Sequence, residues 1–62
     1  MSKNQYRVHM EDKTESGEVF NFTMDYTGVS VIGVGGLAVR EFGFDAMGNE
    51  NIHFKVNRVE LV

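Results

Sequence analysis

Two histidines, His9 and His53, occur in this 62-residue chain. With Glu11 two places beyond the first, the residue types that ligate zinc are present. No short spacing preorganises them, and both fall on the polar positions of strand-like segments, so the plainer reading makes them surface histidines. Asp45, Asn49, Glu50 and Asn51 form an oxygen-rich stretch of the kind that attracts calcium. Their order does not match D-x-[DN]-x-[DN]-G, and a hairpin turn accounts for them. Ser2, Ser16 and Ser30 are the serines, and none has a histidine beside it. A nucleophile would have to borrow its base from a distant strand, with little chain left to enclose a substrate. No catalytic, metal or cofactor residue is assigned, and the chain reads as non-enzymatic.

A more specific pattern is Val29-Ser30-Val31-Ile32-Gly33-Val34-Gly35-Gly36-Leu37-Ala38. It resembles the dinucleotide-binding fingerprint G-x-G-x-x-G/A, with Gly33 and Gly35 in the first two glycine places and Ala38 in the third. The resemblance implies a tight turn whose backbone N–H groups cradle a pyrophosphate at a helix N-terminus. Glu50 stands near the place of the ribose-binding acid. The likeness covers about ten residues, and too little chain follows Ala38 to build a parallel βαβ sheet. Nucleotide or phosphate binding at the Gly33–Ala38 loop is therefore an alternative, set against a plain structural turn.

Two surface features suggest a binding role. Glu11, Asp12, Glu15 and Glu18 surround one turn with only Lys13 to offset them, an acidic tip suited to a basic groove on another molecule. From Thr27 to Val39 no residue is charged, and Val29, Val31, Val34, Leu37 and Val39 offer an apolar contact. The expectation is a small acidic protein-binding module that occupies a surface of a larger protein or of a second copy. Its size suits a regulator or inhibitor of the kind carried by phages and mobile elements. The formal charge of −3 opposes attraction to nucleic acid. Binding of a single strand by a small barrel is the alternative, with Tyr6, Phe20, Phe22 or Phe54 as stacking platforms beside Arg7, Arg40, Lys55 and Arg58.

These residues need elements to hold them. Tyr6, Val8 and Met10 alternate with polar neighbours, as do Phe20, Phe22, Met24 and Tyr26, giving two strands with one buried face each. Asp12 to Gly17 is the turn between them. Gly35-Gly36 suits a two-residue hairpin turn, which splits the uncharged stretch into strands Val29–Val34 and Leu37–Phe44. Asp45 to Asn49 makes a further turn. The last strand runs from Ile52 through Phe54 and Val56, and its phase slip to Val59 and Leu61 predicts a bulge near Asn57-Arg58. Together these predict an all-β fold, a small five-stranded antiparallel barrel or meander. The alternative is an α+β domain of order ββαβ, with Ser30 capping a helix over 31–44. Its cost is three glycines inside that helix.

The chain reads as one domain over 1–62, with residues 1–4 disordered. It contains no cysteine, as suits a reducing compartment. No apolar run is long enough for a membrane span and the N-terminus is polar, so the expected location is cytoplasmic, with no membrane partner.

Overall fold

A computed structural model describes residues 2–62. Strand β1 (Asn4–Lys13) is followed by β2 (Val19–Gly28), helix α1 (Val31–Phe42) and β3 (Lys55–Leu61). The described residues thus form one open antiparallel sheet of order β2-β1-β3 with one helix, an α+β arrangement and not a five-stranded barrel. Of the segment 1–4 expected to be disordered, Met1 lies outside the described residues. Asn4 is the first residue of β1 and pairs with Gly28.

Alternation explains the two long strands. Tyr6, Val8 and Met10 project to one face and lie opposite Tyr26, Met24 and Phe22 of β2, so the even positions of both strands form a single apolar surface. The chain reverses through Thr14–Glu18. The Gly17 N–H donates to the Thr14 carbonyl at 2.9 Å, and Gly17 takes φ 90°, a left-handed position that closes a three-residue turn. Strand β3 adds to the other side of β1. His9 pairs with Arg58 and Met10 with Val56, leaving Asn57 as the extra residue of a bulge. The bulge restores phase, so that Val56 and Val59 both face the core.

The apolar face of this sheet needs a cover, and residues 31–42 supply it as a helix where the favoured reading placed a hairpin. Ser30 is the N-cap, and its hydroxyl accepts from the Gly33 N–H at 3.1 Å. Gly35 and Gly36, expected in the turn, lie in the helix interior. Each glycine costs about 1 kcal/mol relative to alanine. Against that, the helix places Val34 and Ala38 on one side, both fully buried against Tyr6, Val8 and Met10. A short hairpin could not seal three strands in this way. Gly28 permits the close approach of β2 to α1, since a Cβ there would stand 2.7 Å from Val34 Cγ2.

After α1 the chain forms a second turn at Asp45–Asn49, as expected from its residues. The Gly48 N–H donates to the Asp45 carbonyl at 3.0 Å, and the Asp45 N–H to the Asn49 carbonyl at 2.8 Å. The first turn repeats this pattern, with Thr14 and Glu18 in the places of Asp45 and Asn49 and glycine fourth in both. Ile52 and His53, expected in the last strand, belong to the turn that precedes β3. Phe42 joins the helix end to the sheet, edge-on to Phe22 at 5.1 Å and stacked on Phe54 at 6.1 Å. The whole is a slab of 42 × 22 × 12 Å.

Candidate functional site

Helix α1 buries one side and leaves another apolar side in solvent. Ile32, Gly35, Gly36 and Val39 follow i, i+3, i+4, i+7 spacing and so share a stripe. Ile32 is 88% exposed, and Val31 and Val39 are about half exposed, with Val29 just before the helix similar. A Cβ built on Gly35 or on Gly36 would meet nothing within 4 Å, so nothing inside the chain requires glycine there. Of the residues expected to bind, Val29, Val31, Leu37 and Val39 are on the surface. Val34 is fully buried in the core, where its side chain holds the helix to the sheet and cannot meet a partner. Ile32 is the strongest member of the stripe and was not singled out from the sequence. Only the helical period brings it beside Gly36 and Val39.

The acidic residues divide. Glu11 lies on the open face of the sheet, 3.7 Å from Lys55 Nζ. Asp12 is structural: one carboxylate oxygen accepts from the Lys13 N–H at 2.8 Å, the other from Asn51 Nδ2 at 2.9 Å. The bond from Asn51 ties the segment between the second turn and β3 to the first strand. Glu15 and Glu18 remain exposed in the first turn. That turn precedes β2 and the helix start follows it, so ten residues of strand separate the two, roughly 30 Å. Screening over about 8 Å at physiological salt keeps the field of the tip away from Ile32. Beyond the helix, Met47 is 86% and Ile52 81% exposed, a second apolar feature that the sequence pattern did not reveal.

The uncovered face of the sheet is polar. Arg7 grips Asp25 through Nε at 2.9 Å and Nη2 at 3.2 Å, and this hydrogen-bonded pairing holds the Asp25 carboxyl below its ordinary value. His9 Nε2 lies 2.7 Å from Glu60 Oε1. That bond, helped by the charge of Arg58, lowers the Glu60 carboxyl. A shallow groove of about 480 Å³ runs here, lined by His9, Asn21, Thr23, Asn57 and Arg58 among others. Thr23 stands opposite His9 in register, yet among the described residues no hydrogen bond joins them. His9 is paired with Glu60 and not with His53, and among the described residues no group of three or more His, Cys, Asp or Glu side chains is placed to hold a metal.

The alternatives meet specific obstacles. Gly33 to Ala38 lie within α1, the Gly33 N–H is already bonded to Ser30, and the sheet is antiparallel, so the glycines are not in the turn between β2 and α1, where the dinucleotide fingerprint would need them. For single-stranded nucleic acid, Tyr6 is buried and Phe22 and Phe54 pack in or against the core. Phe20 alone of the four is broadly exposed. Arg7, Lys55 and Arg58 make their ion pairs with Asp25, Glu11 and Glu60 on the opposite, open face, away from these aromatics, and Arg40 on α1 lines a groove with Tyr26. Among the described residues no helix is long and apolar enough to cross a membrane.

A three-stranded antiparallel sheet with one covering helix defines the class of fold. Compared with protein-family models, curated proteins and solved structures, the chain gives no significant match.

Proposed function

We propose that this chain is a non-enzymatic protein-binding module whose contact surface is the outer stripe of α1: Val31, Ile32, Gly35, Gly36 and Val39. The observation that carries this reading is Ile32, 88% exposed on a helix whose outward glycines have open space above them. An apolar side chain flanked by positions without side chains lets a partner's backbone approach closely and exclude water around one anchor. A stretch without charge carries no desolvation cost for ions. Such a protein acts by occupying part of a larger one, as small regulators and inhibitors do. The acidic first turn, at the far end of the slab, adds affinity only with a partner long enough to reach both ends.

The test is affinity capture from a lysate of the source cell, comparing the native chain with a doubly substituted chain, Ile32→Asp and Val39→Asp. Both positions are on the solvent side, and circular dichroism verifies the fold. A captured protein should be lost from the variant. Equal capture by both chains overturns the assignment.

A further inference from the structure

The two edges of the sheet are unlike. Strand β3 is interrupted by the bulge at Asn57 and carries Lys55, Arg58 and Glu60, devices that protect an edge from pairing. Strand β2 runs unbroken against β1 for its full ten residues. It has no proline and no basic residue, and its one charge, Asp25, is already gripped by Arg7. Its outward backbone groups can be identified. The Thr14 N–H donates to the Glu18 carbonyl at 2.9 Å, so by the two-residue period of an antiparallel ladder Phe20, Phe22, Met24 and Tyr26 exchange bonds with β1. The N–H and C=O groups of Val19, Asn21, Thr23, Asp25 and Thr27 consequently point away from the sheet.

We propose that the β2 edge pairs antiparallel with the β2 edge of a second copy about a two-fold axis at Thr23, producing a continuous six-stranded sheet. The choice of a second copy comes from the strand itself, Val19-Phe-Asn-Phe-Thr-Met-Asp-Tyr-Thr27, whose chemistry is nearly symmetric about its centre. In this register Phe22 lies opposite the partner's Met24, Phe20 opposite the partner's Tyr26, Asn21 opposite the partner's Asp25, and Val19 opposite the partner's Thr27. No like charges meet, and every residue keeps its face, so both helices lie on one side. Phe20 and Met24, partly exposed on an edge with no neighbour, gain a cover. So does the groove of about 390 Å³ between β2 and α1, lined by Tyr26, Leu37, Arg40 and Glu41, over which the partner's Phe20 would lie. Roughly ten inter-chain N–H···O bonds form, and the solvent stripe of α1 stays free.

The chain lacks cysteine, which makes the test clean. Sedimentation velocity of the native chain at high micromolar concentration should give twice the 7.0 kDa monomer mass. Thr23→Cys should oxidise to a covalent dimer, because directly opposed residues of a hydrogen-bonded pair lie about 5.5 Å apart between Cα atoms, within disulfide reach. Thr27→Cys, opposite Val19 in this register, should not. Thr23→Pro removes an N–H that points outward, a change an edge strand tolerates, and should halve the mass with the circular dichroism retained. A native chain at monomer mass overturns the proposal. So does a dimer that survives Thr23→Pro or in which Thr27→Cys cross-links as well as Thr23→Cys. None of these readouts depends on Ile32, so the helix surface and this edge stand or fall separately.

Discussion

Replacing Gly35 and Gly36 together by alanine tests the helical state of residues 31–42. Both residues are inside α1, and an added methyl at either meets no atom within 4 Å. Neither has positive φ, since that conformation is confined to Gly17 and Gly48 among the glycines. Each replacement should therefore act by reducing the freedom of the unfolded chain, at about 0.4–1 kcal/mol apiece. For a domain of this size about 1 kcal/mol moves Tm by roughly 4–8 °C, so the pair should raise it by about 3 to 16 °C. Thermal and urea unfolding followed by circular dichroism at helical wavelengths measures this directly. The sign of the change distinguishes a helix from a hairpin. In a two-residue hairpin turn both glycines would need positive φ, and alanine would destabilise by more than the helix gains. A lowered Tm in the double variant would refute the helix over 31–42. A raised Tm accompanied by weaker capture of a partner protein would further indicate that the glycines are kept for contact at the expense of stability.

Two further outcomes follow from particular contacts. Gly28→Ala should destabilise the fold by about 1–3 kcal/mol, since the new methyl would stand 2.7 Å from the buried Val34 Cγ2; a urea midpoint equal to that of the native chain would show that β2 and α1 do not approach so closely. Acidification should weaken the fold through Asp25 and Glu60, both more easily ionised when folded than at their ordinary values of 3.8 and 4.5. Their contribution is complete above those values and is lost as pH falls through the lower folded ones. Glu60→Gln should flatten the decline of the urea midpoint below about pH 4.5, and a decline identical to that of the native chain would dismiss the His9–Glu60 pair as a contributor.

Much of the sheet is legible in the residues. The alternation of Tyr6, Val8 and Met10 against Phe22, Met24 and Tyr26 identifies both long strands and their shared face, and the phase slip between Val56 and Val59 locates the bulge at Asn57. The helix is where local reasoning and tertiary structure part. Glycine preference is a local quantity, and three glycines in ten residues argue for a turn. The compensation comes from Val34 and Ala38 meeting a sheet that is itself assembled from distant segments. The same non-locality hides the surface. Val34 looks like its neighbours Val31 and Val39 in composition, and only the 3.6-residue period assigns it to the interior and Ile32 to solvent. Ile52 reads as the first inward residue of a strand because nothing nearby announces that the chain is still turning; Met47 carries no signal beyond its place in a turn.

The matching turns at Thr14–Glu18 and Asp45–Asn49 have a practical consequence. Each is clamped by its first residue, through the Thr14 hydroxyl in one and the Asp45 carboxylate in the other, so the same frame displays Ser16 on one and Met47 on the other. The Met47 side chain stands in solvent, so its identity is uncoupled from the scaffold that carries it, whereas the Ser16 hydroxyl lies 2.9 Å from Thr14 Oγ1 and belongs to the clamp itself. Variation can accumulate at Met47, or be introduced there by grafting, while the Asp45 carboxylate and Gly48 preserve the loop, so that this end of the scaffold can change its contacts without refolding.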